Sequence, residues 1–308
     1  MERVIIILTV GIPRGLLYYR YEILWKSFFS ALGIKYVISN KSNTNILSKG
    51  KEKSIDESCL SLKLFIGHIE NIKDKCSHIF IPRIYSLEKN EQVCTNFNCL
   101  YDLIKNLYPK LNIVHINIDV KHHKNEKNAY VMLAKELGFN KKEALSAYKI
   151  AKEKEKEYLD DIYENALKKI MSNKTKILLL GHSYNLQDEM IGKEITNFLN
   201  KNDIEIIFSY EMNLMYKDEY ANKISPKVHW TMNKEILASF EYFKDKVDGV
   251  IVISAFPCGP DSLTNEMIMR KKEKSKVLLL TFEDLNSNVA LTTRLESFLD
   301  MLKGGIHV

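Results

Sequence analysis

Three cysteines are the residues whose type and position point most directly to chemistry. Cys59, Cys94 and Cys258 each stand at a predicted helix start, after an apolar, strand-like stretch of sequence. A thiol at a helix N-terminus meets the positive end of the helix dipole, which favours the thiolate that binds iron. If the fold gathers these residues, they can hold one iron–sulfur cluster. Three protein ligands would leave one iron open to substrate oxygen or water, as catalytic metal sites do.

The same cysteines also have an ordinary interpretation. Cysteine is among the residue types most often buried, so each of the five can be a packed core thiol. The long gaps between Cys59, Cys94 and Cys258 match no local ferredoxin or zinc-finger pattern. Cys76 ends a lysine-rich helical segment and Cys99 lies five residues after Cys94, and both positions are typical of packed thiols. Cys99 could still act together with Cys94 or replace a ligand.

Two arginines are candidate catalytic or anion-binding residues. Arg14 and Arg83 each follow a predicted strand and a proline. An arginine at the carboxyl end of a strand is a natural partner for a phosphate or carboxylate group. The alternative is a structural salt bridge to Glu57 or Asp261.

A polar loop after a later strand supplies candidate proton donors. This loop contains His182, Tyr184 and Asn185, and the first two are further catalytic candidates. Helix capping by Asn185 or Asp188 explains part of the same pattern without chemistry.

Four other polar residues stand close to the cysteines in sequence. Lys63 is predicted on the same helix face as Cys59, where it can compensate cluster charge, whereas His68 is predicted nearly opposite and is typical of a structural histidine. Asp261 and Ser262 are predicted to cap the helix that follows Cys258.

These side chains must be positioned by stacked β-α units. Short apolar runs alternate with amphipathic segments, which is typical of an α/β protein built on mostly parallel sheets. Ligands bind outside the carboxyl ends of the strands in such sheets, and the candidate residues fall at such ends. The predicted strands are 4–8, 36–38, 78–81, 113–116, 177–180, 204–208, 250–253 and 277–280.

We therefore predict two Rossmann-like domains, each with a mostly parallel sheet of four or more strands flanked by helices. Residues 1–123 form the first and carry Cys59 and Cys94, and residues 173–308 form the second and carry Cys258. Residues 124–172 have a helical periodicity and no strand signal, so they are predicted as a helical linker. The cluster is expected in the cleft between the domains.

Composition excludes several classes of protein. The chain has 308 residues, of which 45% are hydrophobic and 27% charged, as in globular proteins. Its net charge of +6 comes from 45 basic and 39 acidic residues, and its lysine-rich runs alternate with glutamate. This pattern is typical of solvated helix faces, so a nucleic-acid partner is not expected. No apolar stretch approaches the roughly 20 residues of a membrane span, and no signal peptide is recognised, so we expect a cytoplasmic protein.

Nucleotide binding by this chain is also not expected. Neither a G-x-x-x-x-G-K nor a G-x-G-x-x-G pattern occurs, and only 12 glycines are present. Any dependence on ATP would therefore come through a partner. The odd number of five cysteines, without a secretion signal, argues against a disulfide framework.

Six ordered segments resemble a known family over nearly the whole chain. They resemble motifs of the 2-hydroxyacyl-CoA dehydratase and benzoyl-CoA reductase superfamily, in its acyl-CoA dehydratase activase-related branch. The segments are GIPRGLLYYRYEILWKSFF, DESCLSLKLFIGHI, IFIPRIYS with VCTNFNCLYDLI, HSYNLQDEMIGKEI, AFPCGPDSLTNEMIMR and TTRLESFLDML.

The resemblance implies a cofactor and a partner. The three separated cluster ligands of that superfamily match Cys59, Cys94 and Cys258. They imply an iron–sulfur cluster, of the 4Fe-4S type or a double cubane, that receives an electron from a separate ATP-hydrolysing activator. In the dehydratases of that superfamily, a substrate thioester then becomes a ketyl radical. A homodimer, or a heterodimer with a related subunit, and an acyl-CoA substrate are also implied.

The sequence departs from that family at several positions, which puts the substrate pocket in doubt. Ser61 stands where proline is usual, Thr95 and Asn96 replace Pro-Lys, and Cys99 stands where glycine is common. The acidic-His-Thr segment expected after the last strand reads Glu-Asp-Leu-Asn at residues 283–286.

The leading interpretation is an iron–sulfur protein that uses low-potential electrons for reductive or radical chemistry on an acyl-CoA or a small molecule. The second is a non-catalytic iron–sulfur electron carrier or assembly subunit. The third is an α/β binding protein without a cluster, in which the cysteines are structural.

Overall fold

A computed structural model describes residues 8–283 and 288–304. The chain forms two compact units. The first contains residues up to Tyr158 together with His229–Thr231, and the second contains Leu159–Val228 and the residues from Met232 onward. The domain bounds given above stay a prediction.

The first unit contains a four-stranded parallel sheet with the order β2-β1-β3-β4. Its strands are β1 (Thr9–Ile12), β2 (Lys35–Ile38), β3 (His78–Ser86) and β4 (Ile113–Asp119). Its helices are α1 (Tyr18–Ala31), α2 (Thr44–Lys53), α3 (Leu60–Ile72), α4 (Thr95–Asn98), α5 (Leu100–Leu107) and α6 (Glu126–Glu136). The helix α7 (Lys141–Ile170) contributes residues to both units.

The second unit repeats this arrangement with the order β6-β5-β7-β8, again all parallel. Its strands are β5 (Lys176–Leu180), β6 (Glu205–Phe208), β7 (Gly249–Ala255) and β8 (Val277–Phe282). Its helices are α8 (Ser183–Leu186), α9 (Gly192–Lys201), α10 (Lys217–Ile224), α11 (Thr231–Phe243), α12 (Gly259–Lys271) and α13 (Asn288–Leu302). The predicted α/β fold with two parallel sheets is confirmed.

Several predicted strand bounds differ from the structure. The prediction that Arg83 follows a strand was wrong, because β3 continues past residue 81 to Ser86 and contains Arg83. Residues 4–7 of the predicted strand 4–8 lie outside the described residues, and the first described strand begins at Thr9. Leu8 is not part of a strand and β1 ends at Ile12, so the predicted end at Leu8 was wrong. The strand comprises Thr9–Ile12, in which Val10 and Ile12 are buried core residues and Gly11 pairs in the parallel ladder.

The central strands are apolar on both faces because helices cover both sides of each sheet. Every residue of β7 is buried. In the second unit, Phe240 and Phe243 of α11 belong to one core cluster with Leu178 and Val252. In the first unit, aromatic side chains fill the corresponding space, and the rings of Trp25 of α1 and Phe80 of β3 meet edge to face at 4.9 Å.

Two glycines bring α2 and α3 into close backbone contact. A Cβ atom added at Gly67 would lie 1.9 Å from the carbonyl oxygen of Ile46, and one at Gly50 would lie 1.8 Å from that of Lys63. No side chain fits at either position, so glycine is required for this packing. The contact fixes the place of α3, which begins next to Cys59.

A serine after one strand holds the loop after the neighbouring strand in both units. Ser39 follows β2, and its Oγ accepts a hydrogen bond from Arg14 N at 2.7 Å. Ser209 follows β6, accepts from Gly181 N at 3.3 Å and donates to the carbonyl oxygen of Gly181 at 2.7 Å. The loops that carry Arg14 and His182 are therefore fixed in the same way.

Candidate functional site

Each of the three cysteines occupies the N-cap position of a helix. Cys59 precedes α3, Cys94 precedes α4 and Cys258 precedes α12, as predicted. All three are partly buried, and none forms a disulfide. The prediction that an apolar strand-like stretch ends just before Cys59 was wrong, since α2 is the element before it.

In the first unit, an amide connects the starts of two cysteine-bearing helices. Asn96 lies in the first turn of α4, two residues after Cys94, and its Nδ2 donates to Cys59 Sγ at 3.7 Å. An N–H group directed at sulfur stabilises a thiolate and its metal complex. The first unit thus brings the first turn of α4, which follows Cys94, into contact with Cys59 at the start of α3.

In the second unit, Cys258 lies beside a buried carboxylate network. Asp261 is in the first turn of α12, and its Oδ1 accepts from His182 Nε2 at 2.8 Å and from Asn233 Nδ2 at 2.9 Å. The thiol of Cys258 also forms a hydrogen bond with the Asp261 carboxylate. Asn233 Nδ2 lies 3.0 Å from Thr264 Oγ1, which in turn donates to the carbonyl oxygen of Pro260 at 2.9 Å.

The charge of this network follows from its partners. Burial alone would raise the pKa of Asp261, but the charge of His182 and the hydrogen bonds from His182, Asn233 and Cys258 outweigh it and leave the pKa lowered. Asp261 is therefore a carboxylate at neutral pH. The prediction that Asp261 caps the helix was wrong, because Cys258 is the N-cap residue and the Asp261 side chain accepts from other elements.

Ser262 does not cap α12 either. Its hydroxyl donates to the carbonyl oxygen of Cys258 at 2.9 Å. The loop between β7 and this helix contains a cis peptide bond between Phe256 and Pro257.

The predicted proton donors lie in this unit. His182 is the N-cap residue of α8, and its ring stacks on that of Tyr184 with centroids 4.8 Å apart. Asn185 is fully buried within α8, and the N-cap residue of the next helix, α9, is Ile191, so the prediction that Asn185 or Asp188 caps that helix was wrong. Asp188 Oδ1 accepts from Met190 N at 2.8 Å in the turn that leads into α9.

The two predicted arginines have different partners in the first unit. Arg83 Nη2 lies 2.9 Å from Asp102 Oδ2 and donates to the hydroxyl of Tyr85 at 2.7 Å. Its acid partner is thus neither Glu57 nor Asp261. Arg14 Nε donates to the carbonyl oxygen of Ser39 at 3.3 Å, and its guanidinium lies 5.6 Å from the centre of the Tyr18 ring.

His68 has a structural role in the first unit. Its Nδ1 lies 2.9 Å from Ser39 Oγ and its Nε2 lies 3.0 Å from Ser42 Oγ, and the residue is fully buried. Burial, together with the charge of Arg14, lowers the pKa of His68 from 6.5 to about 3. The imidazole is therefore neutral at physiological pH. Lys63, the other candidate on this helix, donates to the carbonyl oxygen of Asp56 at 2.7 Å.

The remaining two cysteines have local partners. Cys76 Sγ donates to the carbonyl oxygen of Ile72 at 3.3 Å, and burial raises the pKa of this thiol. Cys99 is exposed, and its thiol donates to Asn98 Oδ1 at 3.0 Å. Neither Cys76 nor Cys99 is among the three predicted cluster ligands.

Two residues of the site were missed in the sequence, namely Asn96 and Asn233. Both are amides in the first turn of a helix. The only signal in the sequence was an asparagine within three residues of a predicted helix start. Asparagine is common there because it hydrogen-bonds to the backbone, so this signal does not indicate a functional residue. Only the fold shows which side chains these amides reach.

The donor set fits an iron–sulfur cluster. Thiolates are the ligands that such clusters use, and an amide at Cys59 supplies a hydrogen bond of the kind that tunes them. A Cβ atom added at Gly259, the residue after Cys258, would have no neighbour within 4 Å, so the start of α12 is open at this position. The segment at residues 284–286, expected to differ from the family pattern, lies outside the described residues.

Within the described part of the chain, no helix combines the length and apolar character needed to cross a membrane.

Comparison with solved structures gives only distant similarity. The SBP FpvC from P. aeruginosa, solved with Ni2+, is 12% identical over 98% of this chain and 99% of its own, with a TM-score of 0.30. The laminin binding protein Lmb of Streptococcus agalactiae is 12% identical over 96% of this chain and 97% of its own, with a TM-score of 0.28. Similarity at these TM-scores carries no information on function.

No curated protein matches the chain. A family model described as "CoA enzyme activase uncharacterised domain (DUF2229)" matches residues 9–211, which include β1, Cys59, Cys94 and His182. The chain belongs to this CoA enzyme activase domain family.

Proposed function

We propose that this chain is an iron–sulfur protein that accepts low-potential electrons from a separate ATP-hydrolysing activator. Cys59, Cys94 and Cys258 would hold the cluster, and the electrons would serve reductive or radical chemistry on an acyl-CoA or a small molecule. The observation that supports the proposal is that Cys59 and Cys258 directly precede 13-residue helices, whose N-terminal ends favour a thiolate, and that Asn96, two residues after Cys94, donates to Cys59 Sγ.

Membership of this family is consistent with a relationship between the chain and an activator. A CoA enzyme activase domain fits the acyl-CoA dehydratase family and an activator relationship. This chain has no glycine-rich phosphate-binding pattern of its own, so ATP hydrolysis is assigned to the partner.

The chain's own residues have distinct roles in this proposal. The cluster, when bound, supplies an electron-accepting centre with one open iron position. The Asn96 amide donates to Cys59, and His182, stacked on Tyr184, holds a proton at its ring nitrogen. The Arg14 side chain offers a cation to a substrate carboxylate or phosphate.

The first experiment measures whether a cluster is present. The full chain is purified without oxygen, iron and sulfide are quantified, and EPR spectra are recorded after reduction. We expect about four irons per cluster of the 4Fe-4S type. A colourless protein without iron would leave only the α/β binding protein with structural thiols.

Single serine variants then test the ligand set. Cys59→Ser, Cys94→Ser and Cys258→Ser should each lower the iron content severely and change the EPR signal. Cys99→Ser is the matched control, since its thiol is exposed and only five residues from Cys94, and it should retain the wild-type content. Loss of iron in the control alone would show that Cys99 replaces Cys94 as a ligand.

A second experiment separates an enzyme from a carrier. The loaded protein receives electrons from an activator and ATP in the presence of an acyl-CoA or a small reducible molecule. Product formation supports the proposed activity. Electron uptake without product would instead assign the chain as an electron carrier or assembly subunit.

A further inference from the structure

The thiol of Cys258 contacts a buried carboxylate, that of Asp261. Asp261 is only 5% exposed and accepts hydrogen bonds from two different elements besides its own helix. A buried carboxylate is costly unless it is paired and hydrogen-bonded, so this placement needs support from the surrounding fold. His182 at the start of α8 and Asn233 in the first turn of α11 supply that support.

The position of Asp261 in its helix directs it toward Cys258. Cys258 is the N-cap residue and Asp261 is the third residue of α12, and side chains at these two positions lie side by side on the first helical turn. The other groups that face this carboxylate are His182 and Asn233, while Thr264 contacts it only through Asn233.

We propose that the buried Asp261 carboxylate, placed beside Cys258 on the first turn of α12, lowers the reduction potential of the cluster held there. This inference rests on the proposed function. Reduction adds an electron to the cluster, and a nearby negative charge in a medium of low dielectric constant disfavours that addition. Hydrogen bonds from His182 and Asn233 spread the carboxylate charge and so moderate the effect.

The test is a redox titration followed by EPR on the full, cluster-loaded chain. Asp261→Asn should move the midpoint potential to a more positive value, because it replaces a charge by a neutral amide of the same shape. Asn233→Leu should move it to a more negative value, because the carboxylate loses one donor. A merely structural role would not produce shifts of opposite sign.

The matched control is Glu211→Gln. Glu211 is also buried in the second unit, pairs with Lys169 at 2.8 Å and accepts from Phe208 N at 2.9 Å. Glu211 is hydrogen-bonded to Lys169 and Phe208 and not to Cys258. Its substitution therefore removes a buried carboxylate elsewhere in the unit, and the reduction potential of the cluster should remain that of the wild type. Iron content and circular dichroism are measured on every variant.

The outcomes separate this inference from the proposed function. A wild-type chain without iron would overturn both. A wild-type cluster whose potential is unchanged in Asp261→Asn, or equally changed in Glu211→Gln, would overturn this inference alone. If Asp261→Asn does not fold, Asn233→Leu decides: a negative shift supports the role of the carboxylate, and no shift contradicts it.

Discussion

The two sheets share one strand order, and their equivalent positions carry different residues. Arg14 stands two residues after β1, whereas His182 stands two residues after β5. Cys94 caps the helix that follows β3, and Cys258 caps the helix that follows β7. The helix before the third strand starts at a cysteine, Cys59, only in the first unit.

An asparagine connects two helix starts in each unit, but its amide donates to a different acceptor. In the first, Asn96 donates directly to the sulfur of Cys59. In the second, Asn233 donates to Asp261, so that a carboxylate stands next to Cys258. The same framework therefore places an amide donor beside a cysteine sulfur in one unit and a carboxylate beside a cysteine sulfur in the other.

The largest effect is expected for the carboxylate of the second unit. Asp261→Ala leaves the His182 and Asn233 donors buried without their acceptor, and should lower the free energy of unfolding by about 3 to 5 kcal/mol. Urea unfolding of the apo chain measures this. Asp261→Asn should lower the free energy of unfolding by a smaller amount. Equal decreases in the two variants would show that the negative charge of Asp261 does not contribute to its hydrogen bonds with His182 and Asn233.

The next effect concerns the helix packing that holds α3. Gly67→Ala places a methyl group against the Ile46 carbonyl oxygen and should lower the free energy of unfolding by about 3 kcal/mol. Gly259→Ala is the control in the second unit, because its methyl group meets no atom within 4 Å. A change below about 0.5 kcal/mol is expected there.

A third effect, which depends on pH, is expected for the buried His68. His68 is neutral when folded, with its pKa lowered from 6.5 to about 3, so the unfolded chain binds this proton first. Its contribution to stability is complete above the unfolded pKa and is lost as the pH falls toward the folded value. Between pH 7 and pH 5, this histidine should account for a loss of about 2 kcal/mol.

The measurement is urea unfolding at both pH values for the wild type and for His68→Asn. The variant has no titrating group at this position, so its stability should depend less on pH by that amount. The same slope in both proteins would contradict the assignment of a neutral, buried His68.

The smallest effect is expected for the amide of the first unit. Asn96→Leu removes the donor to Cys59 Sγ and should change the free energy of unfolding of the apo chain by about 1 kcal/mol or less. In the cluster-loaded chain it should also move the reduction potential to a more negative value, as seen by redox titration. A positive shift would contradict the assignment of the Asn96 amide as a donor to the Cys59 sulfur.

The sequence predicted the fold well because both sheets are buried on two faces. A short, continuous apolar run such as that of β7 is typical of a buried strand. The helical periodicity after each cysteine predicted that the cysteine stands at a helix start. The polar contacts could not be predicted in the same way. Asp261 and His182 lie far apart in sequence, and their 2.8 Å contact depends on the parallel pairing of β5 with β7.

The glycine contact between α2 and α3 has a consequence for dynamics. Since the backbones touch at Gly50 and Gly67, neither helix can open without the other, and both should exchange their amide hydrogens at one common slow rate. Cys59 is covalently attached to this rigid pair, since it directly precedes α3. The backbone that carries its sulfur should therefore keep one position while less tightly packed parts of the unit fluctuate.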